Sequence, residues 1–249
     1  MAPTLDKSYE KDLSEFPHKG EIRNLRYGYI LNEASLFKIT EIEIIEPEDD
    51  NVRYILIELV GADDHDVVGE FILDSDDNDI NEQDTIRNLL SSGLLDETKN
   101  TVAGRISLRN YSFVENNEDI DCYQVSGVET IRNRRQRGLC NKSYLFLLNW
   151  YEHLVCDDKQ TIPGAKIWAG PLVRTGEVRI YNEKGMVFED VLGDFGRGKN
   201  TGFLPWNKGT LQEYDLGPWL PNELQKTVQK FIVLIISRST RSPVGLPIE

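Results

Sequence analysis

The chain has 249 residues, of which 39% are hydrophobic and 28% charged, enough apolar material to bury a core and too much for a chain that stays unfolded throughout. Its formal charge of −14 is unevenly spread: residues 1–100 carry 25 acids against 9 bases, and residues 101–249 carry 17 against 19, so the first part would repel nucleic-acid phosphates. Three cysteines without paired metal-ligand spacing, no apolar leader and a longest apolar run at 231–236 argue against a disulfide framework, a structural metal and a membrane span, and the expected setting is the cytoplasm.

In chain order, residues 1–20 mix charge with Pro3 and Pro17 and show no sustained periodicity, which predicts a flexible N-terminal arm. Residues 36–45 and 52–60 alternate apolar and polar side chains as half-buried strands do, and 67–73 continues the pattern. With turns at Pro47-Glu48-Asp49-Asp50-Asn51 and Gly61-Ala62-Asp63-Asp64, these segments predict an antiparallel meander. The run Asp74-Ser75-Asp76-Asp77-Asn78-Asp79 reads as a polar turn, because it lacks the central glycine and terminal glutamate of a calcium loop. Such acidic segments fit either solvated loops or a contact surface for a basic protein partner. Ile86, Leu89, Leu90 and Leu94 recur at helical spacing after the polar start Asn81-Glu82-Gln83-Asp84, and strands at 102–114 and 121–129 flank the turn Glu115-Asn116-Asn117-Glu118.

The second of those strands runs into Thr130-Ile131-Arg132-Asn133-Arg134-Arg135-Gln136-Arg137-Gly138-Leu139-Cys140, after which Tyr144, Leu145, Leu147, Leu148 and Tyr151 mark an apolar helical face. A strand, a basic glycine-containing loop and a helix N-terminus together can hold a pyrophosphate: the first-turn N–H groups lack intrahelical partners, and Gly138 permits close backbone approach. The same loop also fits a solvated turn or a nucleic-acid patch.

Arg135-Gln136-Arg137-Gly138-Leu139-Cys140 resembles the Arg/Gln-x-x-Gly-x-Gly/Ala motif with which Gcn5-related N-acetyltransferases (GNAT) hold the CoA pyrophosphate, with Cys140 in place of the last small residue. The resemblance covers about residues 102–192. The stretch Asp157-Asp158-Lys159-Gln160-Thr161, with Pro163, Gly164 and Trp168, is also similar to acetyltransferase-like proteins of bacteriophages. The fold that this implies is α/β, a GNAT-like mixed, mainly antiparallel central sheet flanked by helices. Its expected layout is an arm at 1–20, a domain at 21–192 and a packed C-terminal extension at 193–249.

The implied activity is transfer of an acyl group from acetyl-CoA, or another acyl-CoA, to an amine. Arg135, Gln136, Arg137, Gly138, Leu139 and Cys140 would hold the cofactor phosphates, and the backbone of Val125, Ser126, Gly127 and Val128 would align the thioester. A splayed strand at 153–157 should be followed by a helix at 163–172, which Gly170-Pro171 should end early, and by a hairpin from 177–181 and 186–191. Asp157 or Asp158 would bind a cationic acceptor or take its proton, and Tyr181 stands in for the family's general acid. The competing reading is a catalytically inactive GNAT-fold interaction protein, a phage modulator of a host factor that uses its acidic half.

Three further features carry less. The stretch Gly193-Asp194-Phe195-Gly196-Arg197-Gly198-Lys199-Asn200-Thr201 nearly matches a P-loop, but Asn200 displaces the hydroxyl residue, and it reads as a flexible glycine loop. His153 reads as a packed strand histidine, and Trp206 and Trp219 as packing for the C-terminal segment. The apolar run at 231–236 reads as a buried strand or helix segment.

Overall fold

Strand and helix assignments come from a computed structural model that describes residues 4–6, 20–47, 50–130, 138–207, 209, 224, 231–238 and 244–248. The protein is α/β, with a large, mostly antiparallel sheet and few helices. The chain divides into two compact units, one formed by residues 12–108, 127–150 and 241–249, the other by 1–11, 109–126 and 151–240.

In the first unit, β2 (Ile22–Asn32), a strand that the sequence did not single out, pairs antiparallel with β3 (Ser35–Ile44). β3 and β4 (Asn51–Leu59) are the expected strands at 36–45 and 52–60, and β12 (Leu246–Ile248) adds antiparallel to β2. Residues 67–73, expected as a further strand, instead lie in helix α1 (His65–Asp77). Asp64 caps that helix by accepting from the Asp66 and Val67 N–H groups, and the doublets Val67-Val68 and Phe71-Ile72 repeat at four residues, not two. Val68 and Ile72 are buried while Val67 and Leu73 stay exposed. The acidic run at 74–79 supplies the last turn of α1 and its cap at Asn78, which corrects its reading as a simple turn.

Helix α2 (Glu82–Ser91) begins at Asn81, whose side chain accepts from the Asp84 N–H at 3.0 Å. Both helices bury Val68, Ile72, Ile86 and Leu89 against Tyr29, Leu31, Leu36 and Val60 of the sheet. Helix α3 (Leu139–Leu147) contacts β2, where Gly28 leaves room for Phe146: a Cβ there would lie 2.5 Å from the Phe146 ring and 2.7 Å from the Leu246 carbonyl. Lys142 donates to the Leu31 carbonyl and to Glu82, whose carboxylate also accepts from the Leu31 and Gly245 N–H groups. One glutamate of α2 therefore ties together β2, α3 and the approach to β12.

Strands β5 (Thr101–Glu115) and β6 (Glu118–Thr130) form a long hairpin that contributes to both units, and its two turn residues, Asn116 and Asn117, have φ of 53° and 65°. Asparagine tolerates that left-handed backbone, and two such residues match the twist of a tight hairpin.

In the second unit, β7 (His153–Val155) pairs parallel with β6, β9 (Val178–Asn182) pairs with β10 (Val187–Val191), and β11 (Ile232–Ser237) lies between β7 and β9, antiparallel to each. The apolar run at 231–236 thus resolves as a strand. It shows no alternation because β11 is buried along almost its whole length. Thr4–Asp6, in the expected arm, forms β1 and pairs parallel with β8 (Lys159–Thr161). Among the described residues the large sheet runs β10-β9-β11-β7-β6-β5-β4-β3-β2-β12.

The helix after β8 starts as α4 (Ile162–Ile167), continues as a π-helical turn at Trp168–Leu172 and ends as α5 (Val173–Thr175). Gly170-Pro171 does not end it, contrary to expectation. Proline lacks an N–H and collides with the preceding turn of a regular α-helix, and the wider π turn accommodates both defects. No helix among the described residues is long and apolar enough to cross a membrane.

Candidate functional site

Alternation along β5 places Arg109, Tyr111 and Phe113 on one face, and each meets a different partner within the second unit. Arg109 donates from Nε to Gln124 Oε1 at 2.9 Å and from Nη2 to Asp158 Oδ2 at 2.7 Å. Gln124, buried on β6, donates from Nε2 to the Cys156 carbonyl at 2.9 Å and to Asp158 Oδ1 at 3.1 Å. Both oxygens of Asp158 are therefore held by the hairpin, and its role is to fix the turn that follows β7.

Asp157 is placed differently. Its Oδ1 accepts from the Lys159 N–H at 3.3 Å, and burial pushes its carboxyl up to about 6, with the neighbouring Asp158 charge adding to the rise and Arg109 opposing it. A carboxyl tuned this way can exchange a proton near neutral pH. The two aspartates, equivalent in the sequence, separate into one held through both oxygens by the hairpin and one whose carboxyl is raised by burial. Gln160 supports the turn from below, donating to the Asp157 carbonyl at 3.4 Å and accepting from Trp206 Nε1 at 3.0 Å.

Tyr181 lies on β9, 2% exposed, with its hydroxyl accepting from the Val114 N–H at 3.0 Å and its ring packed on Phe113 and Phe188. It is not hydrogen-bonded to the Arg109–Gln124–Asp158 web. Tyr111, which the sequence did not single out, donates its hydroxyl to Glu183 Oε1 at 3.0 Å, and burial and that carboxylate hold its phenol well above the usual tyrosine range. Arg109 and Gln124 were also missed. Their signal was alternation alone, which marks a face but not its partners.

His153 shares Nδ1 with the Ser237 hydroxyl at 2.8 Å and packs edge-on against Phe113, and burial lowers its pKa, as suits a packed neutral ring. Burial pushes the Cys122 and Cys140 thiols up to about 12 and that of Cys156 higher still, so none is a ready thiolate.

The glycine loop at 193–201, read as flexible, is folded around Asp190. That carboxylate accepts from the N–H groups of Val191, Asn200 and Thr201, from Asn200 Nδ2 at 2.8 Å and from Thr201 Oγ1 at 2.7 Å. Burial raises its pKa, but these donors outweigh burial and hold it well below the ordinary carboxylate range. Gly198 makes the fit possible, since a Cβ there would stand 2.3 Å from Asp190 Oδ2. The near P-loop is an anion cradle filled by the protein's own side chain.

In the first unit, α3 starts at Gly138, with φ of 85° and no capping side chain, directly after the arginine-rich sequence 131–137, which lies outside the described residues. Arg135, Gln136 and Arg137 lie outside the described residues, while Gly138, Leu139 and Cys140 form the cap and opening turn. Leu139 is buried and Cys140 half-buried. Asn141, in the same turn, has a buried side-chain oxygen without a hydrogen-bond partner among the described residues. Of the strand residues, Val125 and Gly127 are buried, Ser126 and Val128 half-buried, and the Gly127 carbonyl accepts from Ser107 Oγ at 3.4 Å.

No family model, curated protein or solved structure matches this chain at a significant level. The functional reading therefore rests on its own residues.

Proposed function

We propose that the protein is an acyl-CoA-dependent N-acyltransferase of the GNAT type, acting on an amine by direct attack. The observation that carries the reading is a strand that leads through four arginines to a helix capped by left-handed Gly138, with the first-turn amides unserved by any cap side chain. The orphaned Asn141 oxygen in that turn fits the polar part of a nucleotide-like ligand. Support also comes from β7, which pairs parallel with β6 only at Tyr123 and Gln124 although β6 continues to Thr130, as a splayed strand would.

Acyl-CoA, when bound, supplies the acyl group as an activated thioester. Asp157 takes the proton released as the amine forms its C–N bond and the C–S bond breaks, directly or through one water, and solvent protonates the departing thiolate. Asp158, held by Arg109 and Gln124, keeps the Asp157 turn in place.

Calorimetry with acetyl-CoA and with CoA tests the reading. Saturable binding should vanish in Gly138→Glu and Arg135→Glu, and wild-type protein that binds neither ligand would overturn it. Where turnover is found, kcat/KM should rise with pH through about 6 and level off, because Asp157 must be ionised to accept a proton. Asp157→Asn should remove that limb and lower kcat about a hundredfold.

A further inference from the structure

A groove of about 510 Å³ crosses β2, β3 and β4 within the first unit, lined among others by Leu25, Tyr27, Lys38, Thr40, Leu56 and Glu58. It lies on the face of the sheet whose far end is covered by α1 and α2. A bulge between Asn24 and Arg26 sets Leu25 at its rim, where Leu25 and Tyr27 remain 37% and 39% exposed.

The charges around it sum to zero but are unevenly paired. Lys38 is neutralised by Glu97 at 2.6 Å and sits 4.9 Å from the Tyr27 ring centre, while Tyr29 donates to the other Glu97 oxygen at 2.8 Å. Arg26 and Arg53 share the buried Glu41 carboxylate. Glu58 stands opposite Lys38 in the strand register, half-buried in the groove, and among the described residues none hydrogen-bonds or ion-pairs with its carboxylate. A half-buried carboxylate without a partner is costly, and a cation brought by a ligand removes that cost.

We infer that this groove binds a small organic ammonium compound, its charge paired with Glu58 and its apolar part resting on Leu25 and Leu56. Burial holds the Glu58 carboxyl above its ordinary range, with Lys38 opposing the rise and Glu97 adding to it. The inference stands apart from the acyltransfer reading and uses none of its residues.

The test is titration of the isotope-labelled full chain with phenethylamine, and with phenethyl alcohol as the neutral analogue, followed by amide chemical shifts. Phenethylamine should bind saturably with a dissociation constant of about millimolar, as befits so small a ligand, moving Leu25, Thr40, Leu56 and Glu58 together. Glu58→Gln, which keeps the side-chain shape, should weaken binding about tenfold, and Leu56→Ser should weaken it with Glu58 intact. Spectral dispersion of each variant reports its folding. Equal binding of the alcohol, unchanged affinity in Glu58→Gln, or no shifts in the groove would overturn the assignment.

Discussion

Two turns of this protein gather unpaired or converging backbone N–H groups, and they differ in what answers them. The loop at 193–201 closes on Asp190, so its donors are satisfied from within, whereas α3 opens at a glycine that contributes no side chain. The sequence of the first looks more like a phosphate loop than that of the second does. Motif spacing reports where amides can converge; only the fold reports whether a carboxylate from the same chain already occupies the point of convergence.

Three substitutions sharpen the contrast. Asp190→Asn should have the largest effect, about 3 kcal/mol lost in chemical denaturation, because it removes the charge from several donors inside a closed turn. Since folding depresses the Asp190 pKa, its contribution is in place above about pH 4 and is lost as the pH falls through the lower folded value. The gap between wild type and Asp190→Asn should therefore narrow in acid, and a gap constant down to the acid transition would show that the cradle does not depend on charge.

Gly28→Val should cost about 2 kcal/mol in the same assay by pushing against the Phe146 ring of α3 and the Leu246 carbonyl of β12. A neutral result would mean that α3 is not seated there. Gly138→Ala should be mildest, about 1 kcal/mol, because the nearest atom to an added Cβ, Asn32 Oδ1 at 3.6 Å, is at ordinary contact distance and the left-handed backbone is the main penalty. A loss as large as that of Asp190→Asn would mean that Gly138 is packed as tightly as Gly198.

Local pattern made β3, β4, β5, β6 and α2 legible, since each repeats at its own period next to clear turn residues. It misplaced 67–73 because the doublets Val67-Val68 and Phe71-Ile72 put apolar side chains on both faces of a notional strand, and Asp64 as a cap was the better guide. It left 231–236 undecided because a strand covered on both sides loses its alternation. Asp157 and Asp158 were marked as candidates, but their division of labour was unreadable: it depends on Arg109, 49 residues before Asp158, and on Gln124, 34 residues before it. The response of Asp157 to its setting depends on depth, which adjacent letters do not encode.

The placement of β11 governs how the protein can be made. His153–Val155 and Val178–Asn182 leave the ribosome well before Ile232–Ser237, yet both lie beside that late segment in the finished sheet. Until it arrives, each earlier strand has an open edge able to pair with a neighbouring nascent chain. Translation stalled before Phe231 should therefore yield a sticky intermediate, and supplying the missing strand as a separate peptide should quench its self-association.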